Sequence, residues 1–111
     1  MTQVIVNLTP HAITLQVGDV ATTFQTSGTI ARVTQVTQPN GLTVANGQVH
    51  TSSFGEVLDI PPPQLGTYYI VSGMVLGALN GSRTDVIAPK TDTTAIRNDK
   101  GHIVAVTGWL Q

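Results

Sequence analysis

The stretch Thr67-Tyr-Tyr-Ile-Val-Ser-Gly-Met-Val-Leu-Gly-Ala-Leu79 decides the fold. Tyr68 to Val71 is a short, unbroken run of aromatic and aliphatic residues, the composition of a buried strand. Ser72 then offers a side-chain oxygen to the unpaired amides of a helix start, with Met74, Val75, Leu76, Ala78 and Leu79 behind it. Gly73 and Gly77 weaken the helix, and Asn80-Gly81 supplies a left-handed stop. The stretch therefore predicts a strand feeding the chain's one short helix, of about two turns.

Outward from that unit the chain reads as strands. Downstream, Asp85 to Ala88 is a strand stopped by Pro89, and Ala95–Arg97 with His102–Leu110 forms a terminal hairpin around Asn98-Asp99-Lys100-Gly101. Upstream, Gln3 to Leu8 is a strand interrupted by Thr9-Pro10, since proline fixes its own φ and restricts the residue before it. Ile13–Val17 and Val20–Gln25 pair around Gly18-Asp19. Thr29 to Thr37 alternates but carries polar residues on both faces. Pro39-Asn40-Gly41 reads as a turn, Leu42–Ala45 and Gln48–Thr51 as a hairpin about Asn46-Gly47, and Phe54–Ile60 as a strand ended by Pro61-Pro62-Pro63. The expected fold is mainly β or α+β, a compact antiparallel or mixed sheet with one short helix, in a single domain over 1–111.

Composition narrows the function classes. Only 10% of the 111 residues are charged, against about 25% in typical soluble domains. Five basic residues and a net charge of −1 argue against nonspecific capture of nucleic acid, which draws on a basic surface. Cysteine is absent, which removes disulfides, thiolate nucleophiles and thiolate metal sites. The apolar run from Tyr68 to Leu79 is interrupted by Ser72, Gly73 and Gly77 and is too short to span a bilayer. The apolar start at Met1–Leu8 has no basic leader, so the chain is read as mature from Met1 and not membrane-embedded. Low charge on Thr-rich strands leaves sheet edges poorly protected, which points to a homo-oligomer, with closed strand packing within a monomer as the competing reading.

Three groups of residues carry candidate chemistry. Asn7, Thr9 and His11 alternate around Pro10 and can present an amide, a hydroxyl and an imidazole on one side of a bent strand; the competing reading is a structural bend with a satisfied histidine. Tyr68, Tyr69, Ser72 and Gly73 sit where a strand enters a helix. The free amides there can take a phosphate or carboxylate and a tyrosine can stack on a ring, or the same residues cap and pack the helix. The glycine spacing and lysine of a P-loop are missing. Arg83 and Asp85 fall on one side of an extended segment. The carboxylate can orient the guanidinium towards an anion, or the two form an ion pair that pins the strand. Arg32 and Arg97 are weaker candidates. His11, His50 and His102 lie in separate segments without metal-ligand spacing, so neither metal nor cofactor is expected.

The Asn-Leu-Thr-Pro-His segment at 7–11, Tyr-Tyr-Ile-Val-Ser at 68–72, Arg-Thr-Asp-Val-Ile-Ala-Pro at 83–89 and Arg-Asn-Asp-Lys-Gly-His-Ile-Val-Ala-Val at 97–106 together resemble a group of short, mostly uncharacterised proteins of bacteriophages and prophages. The resemblance implies either an accessory protein of the host cytoplasm that binds a metabolite, including a nucleotide-derived signal, or a virion, assembly or host-protein interaction module. It transfers no catalytic residue. The leading expectation is a non-enzymatic homo-oligomer that binds a small anionic ligand through Asn7, Thr9, His11, Tyr68, Tyr69, Ser72, Gly73, Arg83 and Asp85. The alternatives are the interaction module and a small hydrolase using His11 as base, with Asp85 or Asp59 nearby.

Overall fold

The computed structural model describes residues 3–111; Met1 and Thr2, the start of the apolar Met1–Leu8 stretch, lie outside the described residues. The predicted strand-to-helix unit is present. Strand β1 (Val4–Asn7) lies beside β6 (Thr67–Ile70), β6 leads into helix α1 (Gly73–Leu79), and α1 returns the chain to β7 (Val86–Pro89). β1 and β7 flank β6 and both run parallel to it, while β10 (Trp109–Leu110) adds antiparallel to β7, giving the order β1-β6-β7-β10. This is a mixed sheet with one short helix, an α+β arrangement. A crossover helix is the ordinary way to join neighbouring parallel strands, and Ser72 and Asn80 start and stop it: Ser72 Oγ accepts from the Val75 amide at 3.3 Å, and Asn80 takes a left-handed φ of 49°.

Alternation assigns the two faces of this sheet. Leu8, Tyr69, Val71 and Val86 are buried with Val75 of α1 and Ala31, and Val6, Leu76 and Leu79 pack around them. On the opposite face Asn7, Ile70 and Ile87 are buried, with Ile5, Tyr68 and Trp109 half-buried at its margin. Two small hairpins border the sheet. β2 (Ile13–Val17) pairs with β3 (Val20–Phe24), and β8 (Ile96–Arg97) with β9 (Ile103–Ala105). Gly18 alone of the β2–β3 turn pair has positive φ, 58°, the pattern of a type II′ turn.

The middle of the chain departs from the sequence reading. In place of separate strands and a short hairpin there is one long hairpin, β4 (Arg32–Val44) with β5 (Gly47–Leu58). Pro39-Asn40-Gly41 does not turn the chain but sits in a register irregularity between Pro39 and Thr43. Gly41 takes φ 86° there, so its freedom from a Cβ absorbs a bulge within a continuing strand. The reversal falls at Ala45-Asn46, both with positive φ (48° and 69°), one residue earlier than the Asn46-Gly47 signal. A second irregularity at Thr34 faces Gly55, where a Cβ would collide with the Thr34 hydroxyl. The base of this hairpin packs Val33 and Val57 against the core, while almost every residue beyond is exposed. At about 3.4 Å per residue β4 alone is about 40 Å long. The arm explains a radius of gyration of 17.0 Å, against about 13 Å for a compact chain of this length.

No helix among the described residues is long and apolar enough to cross a membrane.

Candidate functional site

Asn7 ends β1 and is 1% exposed, so its amide must find partners inside the protein. It does so locally: Nδ2 donates to the carbonyls of His11 (2.8 Å) and Phe24 (2.9 Å), and Oδ1 accepts from the Thr9 amide at 2.9 Å. The Thr9 hydroxyl lies 2.7 Å from Asn7 Oδ1 and 2.9 Å from the His11 carbonyl, two acceptors within reach of its one proton. The motif is thus a buried polar clasp that folds the chain back after β1 and ties it to β3. His11 enters through its backbone while its side chain is exposed. Ser72 is likewise engaged as the helix cap, and Gly73, the first helical residue, is exposed.

Arg83 and Asp85 lie just before β7. The guanidinium meets the carboxylate in a two-pronged pair, Nε to Oδ1 at 2.8 Å and Nη2 to Oδ2 at 2.7 Å, and Nη2 also donates to the Pro61 carbonyl at 3.0 Å. Its central carbon stands 6.0 Å from the centroid of the Tyr69 ring, within cation–π range. The hydrogen bond from Arg83 holds the Asp85 carboxyl below the usual carboxylate range, against the opposing effect of burial, and the same bond raises the guanidinium. Arg83 thus commits Nε and Nη2 to the protein.

Tyr69 is 2% exposed and its hydroxyl donates to the Pro62 carbonyl at 3.2 Å, which places it in the core beneath Arg83. Tyr68, one residue earlier, points to the other face and remains half-exposed. It borders two depressions. One, about 310 Å³, is lined by Pro63, Gln64, Leu65, Gly66, Thr67, Tyr68, Thr84 and Asp85. The other, about 270 Å³, is walled by Gln3, Ile5, Tyr68, Ile87 and Trp109.

The candidate residues therefore separate into two groups. Asn7, Thr9, His11, Ser72 and Gly73 follow the carboxyl ends of β1 and β6. Tyr68, Tyr69, Arg83 and Asp85 lie near the amino ends of β6 and β7, with Arg83 over Tyr69 on the helix-covered face and Tyr68 on the other. The second group borders an open groove whose one charged lining residue is Asp85, while Arg83 lies over the Tyr69 ring. The sequence reading missed Trp109 and Ile5. The one signal in the sequence was that Trp109 is the only tryptophan of the chain; its place opposite Pro89 comes from the strand register.

No three His, Asp or Glu side chains among the described residues converge to hold a metal ion. No protein-family model matches the chain, and no curated protein or solved structure matches it.

Proposed function

We propose that this chain is a non-enzymatic, phage-type accessory protein of the host cytoplasm that works as a homo-oligomer and binds a small anionic, nucleotide-derived ligand. The observation that carries the assembly half is the β4–β5 arm. It leaves the globular body and exposes Val36, Leu42, Val44 and Phe54, each between 46% and 60% accessible, in a chain with few charges to keep such a surface apart from its neighbours. A second copy is the partner most readily supplied, because every molecule carries the same arm.

The ligand half is supported by the Tyr68, Arg83 and Asp85 end of the sheet. Arg83 is held by the Asp85 carboxylate and by the Pro61 carbonyl, so its guanidinium is fixed in orientation before any ligand arrives, and pre-organised donors lose less entropy on binding. The adjoining groove is open, as expected of a site whose remaining wall comes from another subunit. Asp85, the charged residue lining that groove, repels an anion, and its pairing with Arg83 offsets that charge. His11, exposed and held through its carbonyl, supports a turn-forming role over that of a base.

The arm also favours the second reading, in which the partner is a virion or host protein. Native mass spectrometry of protein purified from its host separates the two. The proposal predicts a homo-oligomer carrying a small mass that is released on denaturation. In titrations with that released compound, Arg83→Gln should weaken binding about tenfold. Unchanged affinity would remove Arg83 from the site. A bare monomer that instead captures a phage or host protein would replace the proposal with the interaction reading.

A further inference from the structure

We infer that the cleft between Tyr68 and Trp109 receives a flat aromatic ring, so that Trp109 contacts ligand together with Tyr68; this rests on the reading of a nucleotide-derived ligand and names where its base sits. Ile5 and Tyr68 are register partners across β1 and β6, so both project from the same face. Ile87 alternates onto that face from β7, and Trp109, paired with Pro89, closes it from β10. The helix covers the other face through Val75, leaving this margin open.

The geometry suits a ring in three respects. Trp109 is propped from one side by Phe24, with ring centroids 6.0 Å apart and planes tilted by 58°, which favours a standing cleft over collapse onto Tyr68. The walls are two aromatic rings and two isoleucines, Ile5 and Ile87, around a volume of about 270 Å³, a space on the scale of one planar heterocycle. Aromatic faces stack on any base without regard to its sequence-specific edge. Gln3 adds an exposed amide at the rim, a donor and acceptor for a base edge. Tyr68 is also shared with the groove of Thr84 and Asp85, so the cleft opens towards the end of the sheet at which the Arg83–Asp85 pair stands.

The chain's single tryptophan makes the test direct. The full chain is titrated with AMP and with ribose 5-phosphate, following intrinsic fluorescence and, in parallel, calorimetric heat. AMP should change Trp109 emission saturably over the concentrations that release heat, and ribose 5-phosphate should leave emission unchanged. Tyr68→Ala should weaken AMP about tenfold, with Trp109→Phe, which keeps the packing on Phe24, as a second variant that retains the fold and abolishes the signal. AMP binding by calorimetry with unaltered emission and unaltered affinity in Tyr68→Ala overturns the ring site while leaving the anionic-ligand reading intact. Absence of heat from either compound overturns both. Emission that tracks protein concentration and ignores AMP overturns the ring site by showing that a second copy fills the cleft.

Discussion

Arg83 and Asp85, two residues apart at the entry to β7, are joined by two hydrogen bonds of 2.8 and 2.7 Å in a fork-to-fork pair. Their side chains are 21% and 16% accessible, enough shielding for the pair to matter more than a surface contact. The Asp85 carbonyl also accepts from the Tyr69 amide at 2.9 Å, so the pair sits on the seam between β6 and β7. Asp85→Asn keeps the shape but removes the charge, leaving Arg83 half-buried opposite a neutral amide. The expected loss is about 2 kcal/mol, a fall in Tm of about 5–10 °C. A melt within one degree or so of the parent, read by circular dichroism, would show that the pair has no part in holding the seam.

Acid should find the same pair. Asp85 titrates below its ordinary value of 3.8 in the folded protein because Arg83 donates to the ionised form. A carboxyl depressed by folding contributes stability that is complete above its unfolded value and is lost as pH falls through its folded one. Unfolding free energy measured in urea should therefore be flat in this term near neutrality and should decline below about pH 4. Asp85→Asn should start lower and lack this part of the decline. Parallel acid slopes for the two proteins would assign the acid sensitivity elsewhere.

The Asn7 clasp predicts a sharp contrast between neighbours. Asn7→Ala removes the donor to two carbonyls and the acceptor for Thr9 in a site that is 1% exposed, leaving buried groups unpaired. The expected cost is about 3 kcal/mol. His11→Ala removes only an exposed imidazole, since the clasp uses the His11 carbonyl, and should cost no more than about 0.5 kcal/mol. Equal losses in the two variants under urea denaturation would mean that the imidazole, too, supports the turn.

The strand-to-helix unit was legible because local signals agreed with the tertiary structure. Ser72 and Asn80 are a cap and a stop by their own chemistry, and Tyr68–Val71 carries enough apolar surface to demand burial. The arm was not legible. Gly41 is as good a turn residue as any by itself, and only the pairing of Pro39 with His50 and Thr43 with Gln48 shows that it bridges a bulge. Nor did the polarity of β4 and β5 reveal their length, because strands without a core face lack the alternation that marks a strand's extent. The candidate site divided for a related reason. Asn7 and Arg83 are each recognisable as polar residues beside apolar strands, but which end of a parallel sheet each occupies depends on strand order, which no local pattern encodes. Trp109 entered only through the register of β10 on β7.

The arm yields the last prediction. If β4–β5 is the surface through which copies meet, substitutions beyond its base should dissociate the protein without unfolding it, because the core cluster draws only on Val33, Val57 and Ile60 from this part of the chain. Val36→Lys with Phe54→Lys places two charges on the arm and removes an aromatic and a β-branched residue that are 51% and 46% exposed. In a symmetric dimer each change counts twice. A loss of about 4 kcal/mol at the interface raises the dissociation constant about 1,000-fold. Sedimentation velocity should then show the assembly reduced to monomer at micromolar concentration, while the near-ultraviolet signal of Trp109 packed on Phe24 stays in place. An unchanged sedimentation coefficient would show that the copies meet elsewhere. A lost near-ultraviolet signal would show that the arm stabilises the body itself, because neither Val36 nor Phe54 belongs to the core cluster.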